Sequence, residues 1–319
     1  MSGRGRSIHL VANPRAGRGR GPGLGVALTW LLRDCGLSTK ATCPTDESGM
    51  RTALVSAVEA RPASIVVAGG DGTLRLAAQA ITAARSETIL APLRCGTGNG
   101  LSDALGLPRD LEAYAELLTR DAIPTLSLHT AQTERGLLLH TLGAGLDAAM
   151  VERVSVAPRR ALGRAGWVLP VLRELLSNRR YQIGLTVDGE PRGAFEQLLA
   201  PRFANHGGVL HLPEPIGRAP RQLDLVAFRP RSRLRWLLTA LRGATGRLQV
   251  GRDLEHFRGR EAALELVDDP APVHLDGEPF GQTPIEVGLR ATTLRLLAPA
   301  PSHRANRCSP SGNRAAFAR

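Results

Sequence analysis

The stretch Ile65–Ala77, IVVAGGDGTLRLA, decides how the chain reads. Ser64–Ala68 is almost wholly apolar, as a strand is when helices cover both faces of its sheet. Helical periodicity resumes at Leu74 and runs to Ala84. Between them stand Gly69, Gly70, Asp71, Gly72 and Thr73, a strand-to-helix turn with little side-chain bulk. Such a turn lets backbone N–H groups approach an anion, and the helix N-terminus beyond adds partial positive charge. Asp71 at its tip would repel a phosphate unless it has a metal ion or a proton to handle. A plain structural turn is the alternative, weakened by finding GGDGT directly after an all-apolar strand.

The same alternation extends to both sides. Ser7–Ala12 reads as a strand that stops at Asn13-Pro14, Leu24–Cys35 as a helix, Ser38–Cys43 as a strand and Met50–Ala60 as a helix. Thr88–Pro92 reads as a strand, with a helix resuming near Leu101. Strands alternating with helices at this spacing predict an α/β domain with a parallel sheet. A second glycine turn, PLRCGTGNG (Pro92–Gly100), and a third element, NPRAG (Asn13–Gly17), end strands on the same edge, where open α/β sheets place ligands. After about Pro124 the segments become short and β-like. Asp188-Gly189 and Asp276-Gly277 are pairs favoured in tight hairpins, so the second half predicts an antiparallel β domain. Two helices interrupt it, Arg160–Asn178 and Arg233–Leu241, and a polar tail begins near Ser302.

Composition narrows the function classes. The net charge is +12 over 319 residues, and Lys40 is the only lysine. Arginine therefore carries a basicity that attracts anions. No GxxxxGK[ST] occurs, which excludes a P-loop nucleotide site. Cys35, Cys43, Cys95 and Cys308 form no CxxC pair, which fits a reducing cytoplasm. The N-terminal MSGRGRSIHLVANP lacks the apolar core of a secretion signal, and no apolar run approaches the ~20 residues that span a bilayer. Few aromatic residues and no known motif speak for nucleic acid.

NPRAG, GGDGTL and PLRCGTGN followed by LSDALGLP resemble the diacylglycerol kinase catalytic domain family, which includes bacterial lipid kinases and sphingoid-base and ceramide kinases. GAGLDA (Gly143–Ala148), RRALGRAGWVLPVLRELL (Arg159–Leu176), FAN (Phe203–Asn205) and LDGE (Leu275–Glu278) extend the resemblance over most of the chain. It implies a nucleotide-binding α/β domain over 1–126 and a β-sandwich lipid domain over 127–300, with the last strand free to return to the first domain, and a disordered tail over 301–319. It implies ATP and Mg²⁺ in the crevice and transfer of the γ-phosphoryl group to a lipid hydroxyl. Asn13, Gly69, Gly70, Asp71, Gly72 and Thr73 would hold nucleotide, with Gly96, Thr97 and Asn99 from the second loop. Thr42, with Thr45 as the second choice, matches a nucleotide-contacting threonine. Glu278 or Asp71 would be the general base, and Asp147 would lie near the lipid headgroup. The implied partner is a membrane lipid met peripherally at the inner membrane surface, with a homodimer left open and no nucleic acid.

Three departures stand out. Gly100 replaces the aspartate of GTGND. Arg75 and Leu76 replace two polar residues after GGDGT, and Arg75 reads as exposed helix surface. Pro220-Arg221 stand where bacterial members carry the Asp-Gly of a structural magnesium site, with Asp224 out of register, so no residue is assigned to a metal. These departures motivate an inactive lipid- or nucleotide-binding homologue as the second reading. An NAD kinase, which shares the GGDG loop, is a third, opposed by NPRAG, GTGN and the long β half. Arg229–Arg247 and Arg159–Arg180 mix arginines with leucines and a tryptophan, as interfacial helices do, although the simpler expectation buries their apolar faces in the core.

Overall fold

The computed structural model describes residues 6–95, 99–134, 136–156, 174, 177, 179–206, 210–217, 219–229 and 232–299. Gly96, Thr97, Gly98, most of the expected helix Arg160–Asn178 with Trp167, and the tail from Ala300 lie outside them.

The N-terminal half folds as β1 (Ser7–Ala12), α1 (Arg20–Asp34), β2 (Ser38–Thr42), α2 (Glu47–Glu59), β3 (Ser64–Gly69), α3 (Asp71–Ala83), β4 (Ile89–Arg94), α4 (Gly100–Ala104) and α5 (Leu111–Thr119). Strands β2, β1, β3 and β4 are parallel neighbours. β3 is buried along its whole length, with Val66 opposite Leu10 on one side and Ala91 on the other. Two of the helices carry a side-chain cap: Asp46 accepts from Gly49 N at 2.7 Å and Asp110 from Ala113 N at 2.9 Å. Helix α3 begins after Gly70 with no such cap. It also begins three residues earlier than Leu74, because Gly70 is extended at φ −86°, ψ 179° and its carbonyl accepts from Leu74 N at 3.0 Å. Asp71, Gly72 and Thr73 are therefore the first turn of a helix.

The second half comprises β5 (Thr125–Thr133), β6 (Gly136–Leu138), β7 (Thr141–Gly145), α6 (Leu146–Val156), β8 (Ile183–Val187), β9 (Glu190–Phe195), β10 (Gln197–Pro201), β11 (Asn205–His206), β12 (Leu210–His211), β13 (Leu223–Phe228), α7 (Arg233–Ala244), β14 (Glu255–Gly259), β15 (Glu261–Leu266), β16 (Pro272–Leu275), β17 (Glu278–Gln282) and β18 (Ile285–Leu297). Helix α6 directly follows the GAGL turn, in a stretch without strong apolar periodicity. Both Asp-Gly pairs make the expected hairpins: Asp188 and Gly189 have φ 51° and 81°, and Asp276 and Gly277 have φ 53° and 80°.

A six-stranded antiparallel sheet in the order β14-β13-β10-β7-β16-β17 packs on a ten-stranded sheet in the order β2-β1-β3-β4-β18-β15-β8-β9, with β5 and β6 attached through β18. Leu142, Leu198, Leu225 and Leu275 of the first meet Leu185, Leu264 and Val287 of the second in one buried core. The architecture is thus an α/β domain with a parallel sheet and an antiparallel β-sandwich. Strand β18 lies parallel to β4 at Leu296–Leu90 and antiparallel to β15 from Ile285 to Gly288, so one sheet runs through both lobes. The cleft lies between the C-terminal ends of β1, β3 and β4 and the β16–β17 hairpin.

Candidate active site

The expected turns come together. Gly69 pairs with Arg94, so the GGDGT turn and the second glycine turn leave the sheet side by side. NPRAG joins them, because a Cβ on Gly17, at φ 59°, would stand 2.1 Å from the Cys95 carbonyl oxygen. Asn13 donates from Nδ2 to Thr73 Oγ1 at 2.9 Å, tying β1 to the first turn of α3. Gly69 leaves room for the Thr73 side chain, whose Cβ would lie 2.6 Å from an added methyl. Arg94 anchors the far end of the second loop through the carboxylate of Asp103 and the carbonyls of Ser102 and Leu107. Asn99 stands at the start of α4 in the left-handed region, φ 51°.

A cleft of about 350 Å³ opens on these turns, lined among others by Asn13, Arg15, Thr45, Arg51, Gly72 and Glu278. Thr45 lines it and Thr42 does not; Thr42 ends the outer strand β2 with its side chain exposed. The backbone N–H groups of the first α3 turn and Arg15 suit an anion at this end of the cleft, where Arg51 and Arg75 also lie, paired with Glu47 and Glu278.

Glu278 reaches this cleft from the other lobe. A Cβ on Gly72 would sit 2.8 Å from Glu278 Oε1, so only glycine leaves space for the carboxylate against the helix start. Arg75 is not exposed helix surface. Its side chain is 18 % exposed, pairs with Glu278 Oε2 at 2.5 Å, donates to the Leu275 carbonyl at 3.4 Å and lies 3.8 Å from Asp276. The surface reading failed because its partners lie some two hundred residues away in sequence.

Asp71 sits behind Glu278. Burial pushes its carboxyl up to about 6, with the neighbouring Asp276 adding to the rise, while the Leu101 N–H opposes it. Its Oδ1 is buried with no hydrogen-bond partner. Asp276, which sequence reading treats only as a turn residue, is buried and accepts from the N–H groups of Leu139, His140 and Thr141 at 3.2, 2.7 and 3.0 Å. Burial raises its carboxyl above the usual range despite those bonds. Gly100 lies against both Asp71 and His140: a methyl there would be 3.9 Å from Asp71 Oδ2 and from His140 Cε1. The position that carries an aspartate in GTGND thus holds no third acid beside Asp71.

Past His140 lies a second polar pocket around Asp147, at the start of α6. Gln197 holds Asp147 by exchanging hydrogen bonds with its backbone N–H and its Oδ1. His274 Nε2 is 2.8 Å and His206 Nε2 3.4 Å from Asp147 Oδ2. Burial alone would raise this carboxyl, but the two histidines beside it outweigh burial and hold the group well below the usual carboxylate range. A methyl on Gly143 would lie 2.4 Å from both Asp147 Oδ2 and His274 Nε2. His140 Nε2, His206 Nδ1 and Asn205 Oδ1 are buried without partners. Nothing in local sequence marks His140, His206 and His274, which lie on separate elements.

Two metal hypotheses can be tested on this geometry. The donor atoms of Asp147, His206 and His274 lie within 4.8 Å of one another. Gly277 N donates to His274 Nδ1 at 3.3 Å, however, which puts that ring's proton on Nε2, facing Asp147. A metal ligand has the opposite tautomer, so the cluster is a hydrogen-bonded one. Asp224, the carboxylate nearest the expected structural magnesium, is filled by His256 Nε2 and Arg258 Nε on Oδ1, both at 2.7 Å, and by Gly217 N on Oδ2 at 2.8 Å. A divalent ion does not fit there.

Comparison with known proteins agrees with this picture. Residues 7–131 match the family model for the diacylglycerol kinase catalytic domain. The chain is 27 % identical over 286 residues to the "Probable lipid kinase YegS-like" of Pseudomonas aeruginosa PAO1, covering 85 % of this chain and 88 % of that one. It is 26 % identical over 280 residues to the protein of the same name from Pseudomonas putida KT2440, covering 85 % and 89 %. The solved structure of a diacylglycerol kinase from Bacillus anthracis strain Sterne superposes at a TM-score of 0.68 with 16 % identity, over 92 % of this chain and 97 % of that one, a likeness of fold. Residues 7–131 thus match a diacylglycerol kinase catalytic domain, and over most of its length the chain is similar to bacterial proteins named as probable lipid kinases.

Proposed function

We propose that the chain transfers the γ-phosphoryl group of ATP to a lipid hydroxyl. The observation that carries this reading is the meeting of Glu278, from the β16–β17 hairpin, with Gly72 at the start of α3, next to the half-buried Asp71. The triphosphate would lie on the N–H groups of Asp71–Thr73, flanked by Arg15, Arg51 and Arg75, with Asn13 holding the turn through Thr73. Thr97 and Gly96 would complete the grip from the second loop. Phosphoryl transfer depends chiefly on such positioning and charge neutralisation.

Asp71 is the better candidate for general base. It lies between the nucleotide end of the cleft and the His140–Asp147 pocket, so a hydroxyl entering from that pocket meets Asp71 first. Its carboxyl, at about 6, is close to neutral pH, where a base is most effective. Glu278 is held by Arg75 at the phosphate end of the cleft. Its half-exposed carboxylate at the phosphate end fits the magnesium that accompanies ATP, which would supply charge neutralisation. Asp147, His206 and His274 would hold the polar part of the acceptor.

The test is incubation of the purified chain with radiolabelled ATP, Mg²⁺ and a panel of lipid vesicles. Asp71→Asn should lower turnover by about 10²–10⁴-fold, the usual worth of a general base; Glu278→Gln should lower it less. Label in no lipid with the wild type, or full turnover in Asp71→Asn, overturns the reading.

A further inference from the structure

Helix α7 is built inside out. Ser232 caps it, accepting from Arg235 N at 3.3 Å. Its packed face is Trp236, Thr239 and Gly243. Trp236 donates to Glu196 Oε2 at 3.1 Å and lies against Phe228, and a methyl on Gly243 would stand 2.0 Å from Leu210 Cδ1. The leucines face the other way. Leu234, Leu237, Leu238 and Leu241 are 67, 51, 40 and 60 % exposed, at the i, i+3, i+4, i+7 spacing that lines one side of a helix. The expectation that this apolar face packs into the core is therefore overturned. The reason is steric: the small residues Thr239 and Gly243 permit close approach to the sheet, and the branched leucines do not.

The surroundings are cationic. Residues 233–252 contain no acid, while Arg233, Arg235 and Arg247 are exposed. Glu196 accepts from Trp236, and Asp253 accepts from Arg242 at 2.6 Å. Val250, six residues after the helix, is also exposed. At its N-terminal end the helix adjoins the acceptor side of the cleft, since Arg233 and Trp236 line one small cavity with Leu146, the residue before Asp147.

We propose that the outward face of α7 inserts into the interface of an anionic lipid bilayer and so presents the Asp147 side of the cleft to the membrane. An apolar stripe flanked by arginines matches acyl chains below and acidic headgroups around them. A second copy of the chain is a poorer occupant. Twelve residues of helix are about 18 Å long, so the stripe offers on the order of 200 Å², against about 800 Å² per partner in a stable dimer. Two such faces would also bring their arginines together.

The inference rests on the lipid kinase reading only for its relation to the cleft, so binding and phosphorylation are measured separately. The full chain is sedimented with vesicles of phosphatidylcholine alone and of phosphatidylcholine with phosphatidylserine. Wild type should pellet with the anionic vesicles only. Arg233→Gln with Arg235→Gln should weaken binding about 5-fold per charge, and Leu237→Gln with Leu241→Gln by about 10-fold or more. Thermal unfolding should stay unchanged, as should turnover of a detergent-dispersed acceptor. Equal pelleting by all variants overturns the proposal. A lowered melting temperature in the leucine variant overturns it in favour of a face covered within the chain. A wild-type dimer that the same variant converts to monomer overturns it in favour of self-association.

Discussion

Replacing Arg75 by Met separates a positioning cation from a decorative one. The stability cost should be small. Glu278 is 51 % exposed on its side chain, so the ion pair is solvent-screened and contributes about 0–1 kcal/mol. The 3.4 Å bond to the Leu275 carbonyl adds about 0.5 kcal/mol. A loss near 1 kcal/mol lowers the melting temperature by about 1.5 °C for a chain of this size. The effect on turnover should be larger and pH-dependent. Asp71 sits at about 6, and the Arg75 charge is among the influences holding it down. Without that cation its carboxyl should rise, since burial and the neighbouring acids are then less opposed. The ionised fraction then falls, and proportionally more at pH 5.5 than at pH 7. A Glu278 carboxylate no longer fixed against Gly72 should remove about a further 10-fold at every pH. The assay is kcat against pH with saturating ATP and vesicle lipid, on wild type, Arg75→Met, Glu278→Gln and the double variant. The Arg75 variant should show its acid limb displaced towards alkaline pH, and in the Glu278→Gln background the pH-independent part of its effect should vanish. An Arg75→Met enzyme with wild-type kcat and an unmoved acid limb refutes the clasp.

Other outcomes follow from single contacts. Gly72→Ala should lower kcat by at least 10-fold with little change in fold, because the added methyl collides only with the Glu278 carboxylate; a steady-state assay decides. Gly143→Ala should raise the acceptor KM more than the ATP KM, since its methyl displaces Asp147 and His274. His140 is buried neutral, its ring pushed down from 6.5 to about 3 by burial first and by the two neighbouring histidines. Its folded pKa is the lower one, so its contribution is complete above pH 6.5 and is lost as pH falls towards 3. Between pH 6.5 and 4.5, wild type should therefore lose up to about 1.4 kcal/mol per pH unit more than His140→Gln in denaturant titrations. Cys35 and Cys43 are exposed and Cys95 is buried, its thiol pushed up to about 11 by burial, so a maleimide should label the first two and spare the third in the folded chain.

Much of this was legible because local signals and tertiary role coincide. The apolar run Ile65–Ala68 has to be a covered strand, and GGDGT after it has to turn into a helix, so the glycine-turn side of the cleft follows from spacing. The two Asp-Gly-Glu hairpins show where legibility stops. Both turn in the same left-handed geometry, and in both the aspartate accepts N–H groups from an adjoining segment: Asp188 from Arg260 and Glu261, Asp276 from Leu139, His140 and Thr141. What separates Glu190 from Glu278 is that only the second hairpin is delivered to Gly72 and Arg75, and that delivery depends on sheet order. Arg75, Asp276 and the three histidines were illegible for the same reason, being defined by contacts between distant segments. Helix α7 was misread because an amphipathic period fixes which residues share a face without fixing which face turns inward.

Strand β18 gives the two lobes a common girder. Its N-terminal end is stitched into the sandwich and its C-terminal end into the parallel sheet, with an irregularity between Leu289 and Thr293. Lobes joined by a linker swing as separate bodies, whereas lobes that share a hydrogen-bonded strand deform together. Narrowing of the cleft around a substrate would have to be taken up as a change of twist along one continuous ribbon, with the Leu289–Thr293 step as its softest point. Glu278 and Asp71 thus approach one another along a path laid down by the backbone rather than by the flexibility of a hinge.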